Sequence, residues 1–227
     1  MGRGMKTGVA EFIGTFALCF IGQGSIIVAQ VTNAGPGALL GIAAAHGLAL
    51  ATMISALGGV SGGHFNPAVT FGFVLTGRQK IGAAIGYWIA QLLAAVVASF
   101  LLHAWLPAEW VQAVKCGAPT LASGITPTAG LLIEIVATFF LVTAVWGTAV
   151  DDRRPPIGGF GIGLTVMMDI LFAGPLTGAA MNPARAFGAA LFGHALENHW
   201  VWWVGPLAGG GLAALLYDKL LLDRPKS

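Results

Sequence analysis

The tripeptide Asn-Pro-Ala occurs twice in this sequence, and Arg185 follows the second copy directly. Asparagine is a strong N-cap and proline suits the first turn, so each copy predicts a helix start. A helix N-terminus carries about half a positive charge. Two such ends facing one point would repel cations, while their asparagine amides could donate hydrogen bonds to a neutral molecule. The two copies are Asn66, Pro67, Ala68 and Asn182, Pro183, Ala184.

The apolar stretches that follow the two tripeptides, Pro67–Val74 and Pro183–Phe192, are too short to cross a bilayer. They predict two half-helices. Six other apolar runs reach the roughly 20 residues that a crossing needs. These runs are about Thr7–Val31, Ala38–Leu57, Ile81–Trp105, Thr128–Val150, Ile157–Pro175 and Trp200–Leu222.

Composition supports a membrane protein, because the 227 residues are 56% hydrophobic and only 9% charged. Such a chain is too poor in charge for a disordered protein, an ordinary soluble enzyme or a nucleic-acid binder. Neither a nucleophile with its base nor a metal-ligand cluster stands out, so we expect no enzyme, no cofactor and no metal. Positive residues group at alternate connections and at both termini, which predicts cytoplasmic termini. The group is Arg3, Lys6, Arg78, Lys80, Arg153, Arg154, Lys219, Arg224 and Lys226.

The chain is internally doubled, since Glu11–Phe16 is echoed by Glu134–Phe139 and each half carries one Asn-Pro-Ala. Three spans per half force the halves into opposite orientations, as in inverted-repeat transport proteins. We therefore predict one transmembrane domain over residues 1–227. Its repeats, about 1–106 and 127–227, are joined by an extracellular loop. Backbone that breaks at membrane depth must line protein or water, which predicts a pore or a binding site.

Five further polar residues are candidates for this site. Arg185 lies in the second half-helix, where it could contact a solute and exclude cations. Glu11 and Glu134 occupy matching positions and should accept hydrogen bonds from the backbone that leads into each half-helix. Asp169 is costly in a span unless it is paired, and we hypothesise a bond to His46 or to the extracellular loop. His64 should line the cytoplasmic vestibule.

These motifs resemble the aquaporin (major intrinsic protein) family, in particular Glu11–Phe16, Ser61–Thr70 and Met181–Arg185. The resemblance covers nearly the whole chain. It implies an all-α hourglass of six transmembrane helices and two re-entrant half-helices, with a pore in each subunit of a homotetramer. It also implies passive conduction of water or small neutral solutes across the lipid bilayer.

The family sets selectivity at four residues, which the resemblance places at His46, Ile170, Ala179 and Arg185. This set differs from the water-strict pattern and from the glycerol pattern, and Ala186 stands where glycerol channels carry aspartate. It is similar to the tonoplast intrinsic proteins of plants. Those relatives pass water with ammonia, and variously urea or hydrogen peroxide.

The function expected from the sequence is a passive water channel that also passes ammonia and other small neutral solutes and excludes protons and ions. One alternative is a proton-coupled secondary transporter, because inverted repeats and broken helices suit both. Another is a channel mainly for urea, hydrogen peroxide or glycerol. The short chain ends suggest a bacterial or archaeal inner membrane.

Overall fold

The protein is an all-helical membrane bundle in the computed structural model, which describes residues 2–223. In that range the regular elements are helices of membrane length, two half-helices and one short connecting helix. They are α1 Arg3–Val31, α2 Ala38–Ser61, α3 Pro67–Leu75, α4 Ile81–Trp105, α5 Ala108–Ala113, α6 Pro127–Val145, α7 Phe160–Thr177, α8 Pro183–Phe192 and α9 Val201–Leu216.

Five helices of the described residues are long and apolar enough to cross a membrane. The predicted sixth span is α9, whose 16 residues give only about 24 Å at 1.5 Å per residue. A π-helical turn, Tyr217–Leu221, continues it without a break and brings it to roughly the 30 Å hydrocarbon thickness. A second π-helical turn, Trp146–Val150, extends α6 in the same way. Six long helices and two half-helices thus match the predicted fold.

Two predicted span ends are wrong by four residues, the start of the first span, which is Arg3 instead of Thr7, and the end of the second. The second span was expected to end at Leu57, before Gly58 and Gly59, but α2 runs on to Ser61. It stops at Gly62, whose φ of +92° is in the left-handed region that favours glycine. The short helix α5 was not predicted, because six residues give no periodic signal.

The two half-helices begin at their asparagines, as the sequence predicts. The side chain of Asn66 accepts a hydrogen bond from the N–H of Ala68, and Pro67 occupies the first turn of α3. The side chain of Asn182 accepts from the N–H groups of Ala184 and Arg185 at the start of α8. The observed ends are Leu75, one residue beyond the prediction, and Phe192, as predicted.

The two halves meet along α2 and α7, and glycines allow their backbones to come close. A Cβ on Gly47 would lie 2.5 Å from the carbonyl oxygen of Gly163, and one on Gly163 would lie 2.3 Å from that of Gly47. Within each half, α1 packs on α2 and α4, and α6 packs on α7 and α9. Small residues therefore set how closely the halves approach around the central axis.

Ionic contacts tie together one end of the bundle, where the α3–α4 and α6–α7 connections and the end of α9 meet. Arg78 pairs with Asp218 at 2.8 Å, and Arg153 binds both Asp151 and Asp223. The hydrogen bonds from Arg153 hold the pKa of the Asp151 carboxyl well below its usual range. Five positions of the positively charged sequence group lie in these segments, and they are Arg78, Lys80, Arg153, Arg154 and Lys219. Arg224 and Lys226 are outside the described residues.

Replacing Gly163 by alanine should destabilise the protein, because the new methyl group would overlap the Gly47 carbonyl and the Ala51 side chain. Overpacking of this kind costs about 1–3 kcal/mol. Thermal unfolding in detergent should show a lower midpoint for Gly163→Ala. The matched control is Gly86→Ala on α4, where a Cβ meets nothing within 4 Å. Equal midpoints for the two variants would contradict the close crossing.

Candidate functional site

The loop that leads into α3 is held by one buried carboxylate, Glu11 of α1. Its Oε1 accepts hydrogen bonds from the hydroxyl of Ser61 at 2.7 Å and from the N–H of His64 at 3.0 Å. Its Oε2 accepts from the N–H of Phe65 at 2.7 Å and from the amide of Gln91 at 2.8 Å. Glu11 is fully buried, so these four donors replace the water that the carboxylate lacks.

Glu134 of α6 holds the loop before α8 in the same way. Its Oε1 accepts from the hydroxyl of Thr177 at 2.7 Å and from the N–H of Ala180 at 3.0 Å, and its Oε2 accepts from the N–H of Met181 at 2.8 Å. These are the backbone bonds expected of the two glutamates from the sequence. They repeat around the centre of the molecule, so the two loops have the same internal structure.

The two loops are joined through their asparagines. Phe65 and Met181 have positive φ angles, 47° and 50°, which is uncommon for large side chains. In this conformation each carbonyl accepts a hydrogen bond from the opposite half. The Nδ2 of Asn182 donates to Phe65 O at 2.9 Å, and the Nδ2 of Asn66 donates to Met181 O at 2.8 Å. The N-termini of α3 and α8 are therefore fixed side by side.

A narrow cavity passes this junction, and both asparagines line it. An amide nitrogen carries two hydrogens, and the opposite carbonyl takes one. The other is left for a molecule in the cavity. The cavity volume is about 30 Å³, and a water needs at least about 10–15 Å³. It therefore has room for two or three waters. Pro67, Ala68, Pro183 and Ala184 are buried in the half-helices and do not line it.

A larger cavity of about 360 Å³ adjoins the narrow one. Three residues line both cavities, and they are His46, Ile170 and Arg185. Ala179 lines the narrow cavity only. The four residues that the family resemblance picks out thus line one cavity, and three of them also line the other. We call this set of four residues the constriction.

The tautomer of His46 follows from its hydrogen bonds. Its Nδ1 lies 2.9 Å from the carbonyl oxygen of Ile42. A carbonyl can only accept, so Nδ1 must carry the proton and Nε2 of the neutral ring is an acceptor. Nε2 lies 3.5 Å from Nη2 of Arg185, which always donates. The constriction therefore offers guanidinium donors and one imidazole acceptor, with the apolar side chain of Ile170 among the lining residues.

His64 lines the narrow cavity on α3's side of the junction. Its Nδ1 lies 3.1 Å from the hydroxyl oxygen of Thr70. That hydroxyl also lies within hydrogen-bond distance of the carbonyl oxygen of Asn66 and accepts from Gln91. The imidazole packs against Phe73 and Tyr87. These contacts fix the ring.

The hypothesis for Asp169 is wrong. Its side chain is buried, with 5% exposed, but it has no hydrogen bond to His46 or to the outer connection within residues 2–223. The Nδ1 of His46 is bonded to the carbonyl of Ile42 instead, and its Nε2 lies 3.5 Å from Arg185, at the outer limit of a hydrogen bond. The Oδ2 of Asp169 has no partner among the described residues. The side chain therefore does not orient the constriction through a hydrogen bond.

The sequence interpretation did not single out three side chains that complete the two loops. Ser61 and Thr177 donate their hydroxyls to the glutamates, and Gln91 bridges Glu11 and Thr70. Ser61 and Thr177 each stand five positions before an asparagine of the repeat, so comparing the halves could have found them. Gln91 has no counterpart that would signal it. Within residues 2–223, no cluster of His, Cys, Asp or Glu could hold a metal ion.

Comparisons with known proteins agree with this geometry. The family model described as "Major intrinsic protein" matches residues 3–217. The chain is 44% identical to the probable aquaporin TIP3-2 of Arabidopsis thaliana, covering 96% of this chain and 84% of that protein. It is 43% identical to aquaporin TIP2-1 of Zea mays, covering 96% and 88%. The X-ray structure of the aquaglyceroporin from Plasmodium falciparum superposes with a TM-score of 0.84 at 24% identity, covering 96% and 97%.

The chain therefore belongs to the major intrinsic protein family, and it is an integral membrane protein. The resemblance found in the sequence motifs is confirmed, including the similarity to the tonoplast type. The superposed structure supports the fold.

Replacing Glu134 by glutamine should destabilise the loop before α8. Glutamine has only one carbonyl oxygen for three donors, and its amide would face one of them. Leaving a buried donor unpaired costs about 1–3 kcal/mol. The unfolding midpoint in detergent should fall for Glu134→Gln. The exposed Glu197→Gln is the matched control and should not change it. An unchanged midpoint for Glu134→Gln would contradict its structural role.

Replacing Asp169 by asparagine should not destabilise the protein. The substitution keeps the size and removes a buried carboxylate that has no partner among residues 2–223, so no bond is lost. The unfolding midpoint of Asp169→Asn should equal or exceed that of the unchanged protein. A fall as large as that of Glu134→Gln would mean that Asp169 has a bonding partner after all.

Proposed function

We propose that this chain forms a passive channel for water that also passes ammonia and other small neutral solutes. The observation that carries the proposal is the junction of α3 and α8. Two asparagines line a cavity with room for two or three waters, each with a second amide hydrogen to offer, and this cavity shares three lining residues with the larger one. The family membership supports the same function, since the plant relatives described above are named aquaporins.

Exclusion of protons and ions follows from the charges around the passage. The N-termini of α3 and α8 point at the junction and make it electropositive. Arg185, with 4% of its surface exposed, adds a full positive charge at the constriction. A cation, hydronium included, meets both barriers. A water at the junction would turn its oxygen toward both amides, which interrupts a chain of hydrogen-bonded waters.

The residues of the constriction support ammonia as a second solute. His46 offers one acceptor and Arg185 offers donors, while Ile170 gives an apolar wall and Ala179 leaves width. Ammonia accepts one hydrogen bond and donates others, so it can satisfy both residues in turn. Selection against neutral polar molecules should therefore be weak. The constriction does not favour glycerol over water, because it lacks the aromatic walls of the glycerol pattern.

A proton-coupled transporter is the second candidate, and the buried carboxyl of Asp169 is the observation that favours it. Glu11 and Glu134 do not support it, because the loops occupy their oxygens. Flux through a transporter would saturate and respond to a proton gradient. Flux through the proposed channel does neither.

We also propose the arrangement of the chain in its membrane. Residues 1–227 form one channel domain with repeats of about 1–106 and 127–227, and four copies assemble, each with its own pore. The charged end that holds Arg78 and Arg153 lies in the cytoplasm with both termini. The plant relatives give no support to a bacterial or archaeal inner membrane, and that expectation stays a prediction.

Stopped-flow light scattering on proteoliposomes tests the function with water, ammonia, urea and glycerol. Water and ammonia should cross much faster than in empty liposomes, without saturation and without dependence on a proton gradient. Water permeability no greater than that of empty liposomes would reject the channel. Saturating flux coupled to protons would favour the transporter.

The paired substitution His46→Phe with Ile170→His tests the constriction. It removes the imidazole acceptor at position 46 and replaces the apolar wall by a polar one. The ratio of ammonia flux to water flux should fall about fivefold, which corresponds to roughly 1 kcal/mol in the barrier difference. Equal loss of both fluxes, or no loss of either, would contradict the assignment of these two residues.

A further inference from the structure

We propose that Gly22 of α1 is a positioning residue for the constriction, because its missing side chain leaves the space that the His46 ring occupies. This inference rests on the proposed channel function for its consequence, but not for its geometry. A Cβ built on Gly22 would lie 2.4 Å from Nε2, 2.5 Å from Cδ2 and 2.9 Å from Cε1 of His46. Real Cβ atoms essentially never approach a ring so closely. All three overlapping atoms belong to the imidazole, so we infer that a methyl group displaces this ring rather than the helix backbone.

The ring has little freedom to adapt. Its Nδ1 is tied to the carbonyl of Ile42 on its own helix, and the residue is only 2% exposed. The methyl group would press on the Nε2 edge, which faces Arg185 at 3.5 Å. Because His46 lines both cavities, a ring pushed away from α1 moves into the passage between them.

Glycine is not required at this position by the backbone of α1. Gly22 lies in the interior of a regular helix, where alanine is intrinsically the better residue. Other glycines of the same helix show that α1 does not need them everywhere. A Cβ on Gly8 meets nothing within 4 Å, and one on Gly24 meets only Leu102 at an ordinary 3.7 Å. The requirement at Gly22 is therefore the space for the histidine ring.

The other half of the repeat supports this pairing. Aligning Glu11 with Glu134 makes Val145 the counterpart of Gly22 in the second half of the chain. Aligning Ser61 with Thr177, which bind these glutamates, makes Ile162 the counterpart of His46. Val145 and Ile162 both line the narrow cavity. The shorter isoleucine side chain on α7 thus corresponds to a position with valine on α6, and the longer imidazole on α2 to one with glycine on α1.

The test compares Gly22→Ala with Gly24→Ala, its matched control two residues away, and with His46→Ala and the double variant Gly22→Ala with His46→Ala. Water permeability of proteoliposomes should fall about tenfold in Gly22→Ala, equivalent to roughly 1.4 kcal/mol. It should be unchanged in Gly24→Ala. The double variant should conduct as well as His46→Ala alone, because the small side chain removes the overlap.

A second measurement does not depend on transport. NMR spectra of the protein with ¹⁵N-labelled histidine should show the Nδ1-protonated ring of His46, identified by its loss in His46→Ala. The ring signals should shift in Gly22→Ala and stay in place in Gly24→Ala. Folding of each variant is checked by its thermal midpoint.

The outcomes separate the two proposals. If the unchanged protein conducts no water, the proposed function fails, and the NMR comparison still decides whether Gly22 seats the ring. If Gly22→Ala matches Gly24→Ala in its spectra, the inference is overturned. It is also overturned if the double variant stays as poorly conducting as Gly22→Ala, since the defect then lies in helix packing rather than at His46.

Discussion

The structure depends on the two hydrogen bonds by which the asparagines of the half-helices cross to the opposite half. Each half-helix is only nine or ten residues long and spans about half of the bilayer. Neither could end at membrane depth by itself, because its first N–H groups would face hydrocarbon. The side chains of Asn66 and Asn182 cap these ends with Oδ1 and join the halves with Nδ2. Each asparagine side chain thereby caps its own half-helix, binds the opposite loop with one amide hydrogen and leaves its second amide hydrogen for a molecule in the passage.

This junction needs support from the residues around it. Glu11 and Glu134 fix the conformation of the two loops by accepting hydrogen bonds from their N–H groups. The positive φ angles of Phe65 and Met181 turn the two carbonyls toward the asparagines. A Cβ on Gly14 would overlap the ring of Phe65, so α1 leaves room for that side chain as well. The strained backbone persists because the carboxylates and the opposite amides determine it from both sides.

The constriction also depends on residues that surround it, at a different depth from the junction. His46, Ile170 and Arg185 come from three different helices, and their meeting point is set by how closely α1, α2, α7 and α8 pack. Gly22, Gly47 and Gly163 determine this closeness. The positions of these three side chains therefore depend partly on glycines, which act through the space they leave rather than through charge.

Sequence patterns predicted the parts of this structure that repeat or that obey a length rule. The spans follow from the thickness of the hydrocarbon, the half-helices from Asn-Pro, and the roles of Glu11 and Glu134 from their matching positions. The sequence could not show which side chains come into contact in the folded chain. Among residues 2–223, the Oδ2 of Asp169 has no hydrogen-bond partner where one was expected. The space for the His46 ring beside Gly22 depends on how α1 crosses α2. The left-handed conformation of Phe65 and Met181 also has no local signal, because neither residue favours it.

The most direct test of the central claim measures water and proton movement in the same proteoliposomes, with light scattering for osmotic shrinkage and an enclosed pH-sensitive dye. If the junction is a wet passage with an electropositive midpoint, water permeability rises far above that of empty liposomes while the proton leak stays at their level. Protons that follow the water, or water that moves no faster than through lipid alone, would contradict the account.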